Sequence, residues 1–223
     1  PDPANQGKDV KVVDVLISAE QKLATELQTQ PDLYADMSLI LSQTYYGLTH
    51  YDRAEQLLRK ALEFSNKRGI SQKTILKIQG LLGDVLQWHS KHNEAIAMLN
   101  AALAQALRDA DNNFEIIIQL HQTLGFSYKE IGETLQAESH FNDAMLMLET
   151  TPSPNPSTIG TVLLGLADCL DSKGDETGAL ELTRRGVEML EQSNQDRTSL
   201  AIGLVNLGNQ ERSLGMYDEA LTH

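Results

Sequence analysis

Few side chains in this sequence have types and spacings suited to chemistry. His89 and His92 form an HxxH pair that could bind a metal ion, and Asp168 and Asp171 could act as paired carboxylates. The histidines have no cysteine or acidic partner at zinc-site spacing, and the aspartates have no related histidine or nucleophile. We therefore interpret the histidines as part of a solvated turn and the aspartates as solvated helix residues.

His121 and Cys169 are the other candidates for reactive side chains. His121 lies on the packing face of a predicted helix, which favours a core residue over a ligand. A single cysteine excludes an internal disulfide, a zinc ribbon and a CxxC redox motif, so Cys169 is interpreted as a small buried hydrophobic residue. The sequence contains no P-loop or nucleophile elbow. We expect no catalytic residues, no metal and no cofactor in this stretch.

The overall charge excludes one class of partner. The 223 residues include 18 Lys and Arg against 31 Asp and Glu, giving a net charge of −13. A nucleic-acid-binding surface needs clustered Lys and Arg, so we expect no nucleic-acid partner. The start, PDPANQGKDV, lacks the apolar segment of a signal peptide, and we predict no membrane insertion. Because the sequence lacks an initial Met and stops at DEALTH, we expect a fragment of a longer protein.

An internal repeat predicts the helices that carry these side chains. Five segments align without a gap from Ala35, Leu76, Ile118, Gly160 and Ala201. Their seventh residue is always Leu, their eighth is small, and their twentieth is always Ala: Ala54, Ala95, Ala137, Ala179 and Ala220. Apolar residues recur at helical spacing within each segment, so each predicts two helices joined by a tight turn. The small residues allow the two helix axes to approach closely.

The turn between the two helices falls near position fifteen of each repeat. Glycine fits the backbone conformation that ends a helix, and Ser or Thr is interpreted as the cap of the next helix. The five turn residues are Thr49, Ser90, Gly132, Gly174 and Gly215.

The first repeat, ADMSLILSQTYYGLTHYDRAEQLLRKALEF, resembles the tetratricopeptide repeat (TPR). The matching residues are Leu41, Ser42, Tyr45, Tyr51, Ala54, Leu58 and Ala61. The period of 41 or 42 residues exceeds the usual 34 or so, and it is similar to that of kinesin light chains and many bacterial TPR proteins. The resemblance implies an all-α fold, an α-α superhelix in which antiparallel helix pairs form a TPR solenoid, with lengthened helices at the repeat junctions.

The repeat register also predicts the segment boundaries. Val13, Leu16, Ile17 and Leu23 share a helical face before the array, which indicates a capping helix that ends at Pro31. The Pro-rich stretch at 151–158 is interpreted as a loop or hinge inside the array. The predicted segments are a linker from an upstream region at 1–9, the capping helix at 10–31, repeats at 35–75, 76–117, 118–159 and 160–200, and a truncated fifth repeat at 201–223.

The TPR resemblance implies a concave groove lined by the first helix of each repeat, where peptides bind. Asn206 and Asn209 match the groove asparagines that hydrogen-bond a peptide backbone in long-repeat members of the family. Leu39, Gln43 and Leu81 stand where a clamp for a C-terminal carboxylate would carry basic residues and Asn, so we do not expect such a clamp. The predicted groove residues are Gln43, Tyr46, Lys77, Asp84, Trp88, Gln122, Phe126, Lys129, Asp168, Asn206, Asn209 and Arg212.

The N-terminal block is similar to the TPR region that follows the kinase domain in bacterial serine/threonine protein kinases. We therefore expect a non-catalytic scaffold for a protein or an extended peptide, as the sensor or interaction region of a larger bacterial signalling protein. Self-association, the TPR tail of a winged-helix transcriptional regulator and a peptide receptor remain alternatives. The resemblance implies a membrane-tethered protein, and it leaves open the cytoplasmic or periplasmic face, the ligand, the upstream domain, the oligomeric state and the number of further repeats.

Overall fold

Helices account for every regular element in residues 12–193 and 197–221, the part of the chain that the computed structural model describes. The predicted linker at 1–9, the start of the predicted capping helix and the last two residues lie outside this part. The α-helices are α1 (Val12–Glu26), α2 (Pro31–Gly47), α3 (Tyr51–Arg68), α4 (Gln72–Trp88), α5 (His92–Ala106), α6 (Ala110–Glu130), α7 (Thr134–Glu149), α8 (Pro156–Ser172), α9 (Glu176–Ser193), α10 (Arg197–Ser213) and α11 (Tyr217–Ala220), with a 3-10 turn at Leu107–Asp109.

The chain divides into two units, residues 1–89 and residues 90–223. Within each unit, every helix packs against the next one along the chain. The first helices of successive pairs also contact each other, α2 with α4 in the first unit and α6 with α8 in the second. This pattern confirms the predicted all-α array of antiparallel helix pairs. The division falls between α4 and α5, inside the predicted second repeat, whereas the Pro-rich stretch at 151–158 lies within the second unit.

Helix length accounts for the long repeat period. The helices from α2 to α10 span 15 to 21 residues. The mean helix of globular proteins has about 11–12 residues. In the described residues, no helix has the length and apolar character that crossing a membrane requires.

The positions that recur in each repeat, which we call the repeat columns, form the buried contacts between paired helices. Of the alanines at position twenty, four are fully buried: Ala54, Ala95, Ala137 and Ala179. Phe141 on α7 is also fully buried, and its ring lies against Gly125 on α6 and Gly165 on α8. A Cβ atom at either glycine would lie 2.7 Å or 2.4 Å from that ring, closer than atoms can pack. The absence of a side chain at these two positions therefore lets Phe141 fit between two helices.

The turns lie where the sequence predicts them, but the interpretation of Thr49 and Ser90 as helix caps is wrong. The residues before α3 and α5 are His50 and Lys91, and neither makes a side-chain capping bond. Thr49 and Ser90 instead adopt left-handed backbone conformations, with φ of 60° and 55°. This conformation costs non-glycine residues roughly 1–2 kcal/mol, which the surrounding helix pair must offset. The equivalent glycines adopt it as well: Gly132, Gly174 and Gly215.

The end of the predicted capping helix also differs from the sequence prediction. The helix α1 ends at Glu26, and Pro31 is the first residue of α2 rather than the end of α1. The fixed φ of proline suits the first turn of a helix, where no backbone N–H is needed. The helix α1 buries Leu16 and Leu23. Its Glu20 carboxylate lies 3.7 Å from a charged nitrogen of both Arg53 and Lys60 on α3. The assignment of α1 as a cap, like the repeat boundaries, stays a prediction.

Candidate functional site

Two predicted groove aromatics meet in the first unit. The indole N–H of Trp88 on α4 donates a hydrogen bond of 2.8 Å to the hydroxyl of Tyr46 on α2. The Trp88 ring also stacks on Tyr51, with centroids 5.7 Å apart and planes 3° from parallel. Trp88 nevertheless remains 49% exposed. Tyr46, Tyr51 and Trp88 therefore form one partly exposed aromatic cluster. The groove prediction omitted Tyr51 because this residue begins the second helix of its pair.

The other groove positions of the first unit fall into two groups. Gln43 and Lys77 are exposed, and Asp84 is half-buried. Leu39 and Leu81, which the repeat register aligns with groove positions, are buried instead. Their side chains belong to the core between the helices, so position five of the first repeat and position six of the second do not face solvent.

Side chains from three successive first helices contact one another in the second unit. All are predicted groove residues except Thr161, the second residue of its repeat. The Gln122 amide on α6 donates a hydrogen bond of 2.6 Å to the Thr161 hydroxyl on α8. Farther along, the Lys129 ammonium on α6 lies 2.8 Å from the Asp168 carboxylate on α8. Asn206 on α10 donates to the other oxygen of Asp168 at 3.3 Å. We call the surface formed by these five residues the polar ladder.

The charges of the polar ladder are largely compensated within it. Burial alone would lower the pKa of Lys129, but the carboxylates of Asp168 and Glu130 outweigh it and raise that pKa. Lys129 therefore stays protonated and holds Asp168 in place. As a result, the prediction that Asp168 is a solvated helix residue is wrong, whereas Asp171 is exposed as expected.

The remaining groove residues of the second unit differ in accessibility. Phe126 is half-buried, with its ring edge-on to Phe141 at a centroid distance of 4.9 Å, so it packs on the neighbouring helix. Asn209 and Arg212 are exposed, and the Arg212 guanidinium donates a hydrogen bond of 3.4 Å to the Asn209 side-chain oxygen. These two residues offer both donors and acceptors beside the polar ladder.

His89 and Cys169, two of the candidates for reactive side chains, both lie in largely buried surroundings. One ring nitrogen of His89 lies 2.6 Å from Glu55, and the other lies 3.5 Å from Asp52. With its side chain only 18% exposed, His89 is not the solvated turn residue that the sequence suggests. Cys169 is fully buried, and burial together with nearby carboxylates raises its pKa to about 11. The thiol is therefore protonated at neutral pH and poorly nucleophilic.

A cluster that the sequence analysis missed lies between α6 and α7. The Nδ1 atoms of His121 and His140 are 3.0 Å apart, and His121 Nδ1 lies 3.7 Å from a carboxylate oxygen of Asp143. The Tyr128 ring stacks on His140 at a centroid distance of 5.4 Å. Burial lowers the pKa of both histidines. The spacing of His140 and Asp143, three residues apart on one helix, is the sequence signal that could have revealed the cluster.

The comparisons with known proteins agree with this architecture. Residues 35–68 match the family model of the tetratricopeptide repeat. A comparison with curated protein sequences finds no match.

Three solved structures show the same fold at low sequence identity. A Rap protein complexed with Competence and Sporulation Factor has a TM-score of 0.77 at 14% identity, over 94% of this chain and 56% of that one. NprR in complex with its cognate peptide NprX has a TM-score of 0.74 at 15% identity, over 93% and 57%. The TPR-like repeats of a putative kinesin light chain from Podosopora anserina have a TM-score of 0.64 at 18% identity, over 86% and 92%.

These findings show the repeat type and the fold. The chain carries a tetratricopeptide repeat at residues 35–68, inside a tandem array of helix pairs with the fold of TPR-like repeat proteins. It spans little more than half the length of the Rap and NprR chains that it matches. The resemblance that the repeat columns indicated is thereby confirmed at the level of repeat type and fold.

Proposed function

We propose that this array is a non-catalytic scaffold that binds an extended peptide or an unfolded protein segment on the first helices of its pairs. The polar ladder of the second unit is the observation that carries this proposal. Side chains from α6, α8 and α10 that the repeat register assigns to a groove lie side by side there, with Asn209 and Arg212 exposed beside them.

The chemistry of this surface suits a peptide main chain. An extended peptide presents N–H and C=O groups in alternation, and a side-chain amide can donate to one and accept from the other. The ion pair of Lys129 with Asp168 orders the surface before binding, which lowers the entropic cost of association. In the first unit, the exposed face of Trp88 offers an apolar contact of the kind that dominates binding energy at interfaces.

The structural neighbours support the same proposal. NprR was solved with its cognate peptide, and Rap with Competence and Sporulation Factor. Those ligands belong to the two neighbouring proteins and are not assigned to this chain. The shared fold makes peptide binding the first hypothesis to test for this chain.

Selection from a library of random linear peptides displayed on phage tests the proposal. A selected peptide is labelled with a fluorophore, and its affinity is measured by anisotropy. Replacing Asn206 and Asn209 together by Ala should weaken binding about fivefold or more, since each lost hydrogen bond contributes about 0.5–1.5 kcal/mol. The matched control Asn142→Ala, exposed on α7, should leave the affinity unchanged. Equal affinity of the double variant and the wild type, with the fold retained, would refute the groove assignment.

We further propose that the array is the sensor or interaction region of a larger bacterial signalling protein, such as a TPR-containing serine/threonine kinase. The similarity of the N-terminal block to kinase-associated TPR regions supports this context. The sequence of the full-length gene product tests it, because a kinase domain upstream is expected and a winged-helix domain would favour a transcriptional regulator. Self-association is the alternative role, and sedimentation of the peptide-free protein over a range of concentrations measures it.

A further inference from the structure

We propose that His121, His140 and Asp143 form a binding site for a divalent transition-metal ion, with Zn²⁺ as the physiological candidate, between α6 and α7. The three ligand atoms all lie within 4.8 Å of one another. None of these residues belongs to the predicted groove or to the polar ladder, so the proposal does not rest on peptide binding.

The distances between the ligand atoms fit a chelate. Zinc binds histidine nitrogen at about 2.0–2.1 Å, so two such nitrogens on one ion are roughly 3–3.4 Å apart. The Nδ1 atoms of His121 and His140 are 3.0 Å apart. The Asp143 oxygen lies 3.7 Å from His121 Nδ1, and its carboxylate is 55% exposed, so it can rotate toward an ion held by the two imidazoles. Three protein ligands leave a fourth position of a tetrahedral ion for water or another ligand.

The ligand types select the class of metal. Two imidazoles and one carboxylate suit Zn²⁺, Ni²⁺, Co²⁺ and Cu²⁺, whereas Ca²⁺ and Mg²⁺ require oxygen ligands. Both imidazoles are partly removed from water, which favours the neutral form that offers a lone pair. The proton balance is simple as well. In the metal-free pair, one Nδ1–H donates to the other Nδ1, and metal binding moves that hydrogen to Nε2 of the same ring without net proton release.

The position of the cluster predicts what a bound metal would do. His121 lies on α6, and His140 and Asp143 lie on α7, so one ion joins the two helices of the predicted third repeat. Tyr128 stacks on the His140 ring and restricts its orientation, which reduces the freedom that metal binding must remove. An ion that binds only the folded pair stabilises it by mass action, so we expect zinc to raise the melting temperature.

The test measures zinc binding by the whole chain, without a histidine tag and after treatment with a chelator. Competition with a chromophoric chelator should show one tightly bound Zn²⁺ per chain. His140→Gln and, separately, Asp143→Asn should each weaken zinc binding by at least about tenfold, because even outer-shell partners of a metal contribute 10–100-fold. The matched control His89→Gln should bind zinc as the wild type does, since the ring nitrogens of His89 face two different carboxylates in another cluster.

A spectroscopic measurement protects the test against misfolded variants. Co²⁺ should give the wild type intense visible bands of a low-symmetry site, and His140→Gln should lose them while keeping its far-UV circular dichroism. Asp143 is mostly exposed, so Asp143→Asn retains the fold even if a histidine variant does not. Failure of the wild type to bind zinc at micromolar concentrations would overturn the proposal. Unchanged zinc binding by the folded His140→Gln and Asp143→Asn variants would overturn the proposal as well. Neither result tests the peptide-binding proposal.

Discussion

The contact of Phe141 with Gly165 gives the sharpest prediction about packing. Gly165→Ala adds one methyl group in the middle of α8. The new Cβ would lie 2.4 Å from one carbon of the Phe141 ring and 2.5 Å from another, against ordinary contacts of 3.4–4 Å. Phe141 is fully buried, so its ring cannot turn away into solvent. The helices on either side of the ring must therefore move apart to accept the methyl group.

Two opposing effects determine the size of the change. Alanine in place of glycine inside a helix stabilises it by about 1 kcal/mol. Overpacking a filled core costs about 1–3 kcal/mol. We therefore expect Gly165→Ala to lower the free energy of unfolding by about 0–2 kcal/mol. Gly47→Ala is the matched control, because Gly47 ends α2 with no atom within 4 Å of an added Cβ, and it should stabilise by up to about 1 kcal/mol.

Thermal melting followed by far-UV circular dichroism measures both variants. For a chain of this size, 1 kcal/mol corresponds to a shift of about 2–4 °C. Adding Phe141→Leu to Gly165→Ala makes room for the methyl group, so the double variant should be more stable than the sum of the single effects predicts. If Gly165→Ala raised the melting temperature as much as Gly47→Ala, the assigned packing of Phe141 would be wrong.

Two further predictions concern buried side chains. Ala137→Leu, at a fully buried position of α7, should lower the free energy of unfolding by about 1–3 kcal/mol through overpacking. Ala101→Leu, exposed on α5, should change the melting curve little. Equal melting curves for the two variants would contradict the repeat register. Cys169 has a pKa raised to about 11, so at mildly alkaline pH it should react with iodoacetamide far more slowly in the folded protein than in denaturant. Equally rapid labelling of the folded and the denatured protein would contradict the burial of this thiol.

The repeat columns predicted the fold well because their physical basis is local. Helical spacing, small residues where helices meet and turn residues at a fixed offset all repeat along the chain, so errors at one position are corrected by the other copies. Two local interpretations were wrong. Thr49 stands where glycine is usual, and its hydroxyl suggested a cap, but the chain geometry requires a left-handed residue there. Pro31 suggested a helix end, although proline also suits a helix start.

The site was less predictable because it depends on contacts between repeats. The register placed Lys129, Asp168 and Asn206 on one surface, but no spacing in the sequence shows that an ammonium, a carboxylate and an amide would join across three helices. The cluster of His121 with His140 was missed for a related reason. Its members lie 19 residues apart in the sequence, and only the pairing of α6 with α7 brings their rings together.

The central claim is that the first helices of the pairs bind an extended peptide, and photo-crosslinking tests it most directly. A phage-selected peptide that carries a photoreactive residue is irradiated with the protein, and mass spectrometry identifies the attached residues. We expect crosslinks to the first helices, near Asn206, Asn209 and Arg212 or near Trp88, and we expect excess unlabelled peptide to suppress them. Crosslinks confined to the second helices, such as α7 and α9, would contradict it.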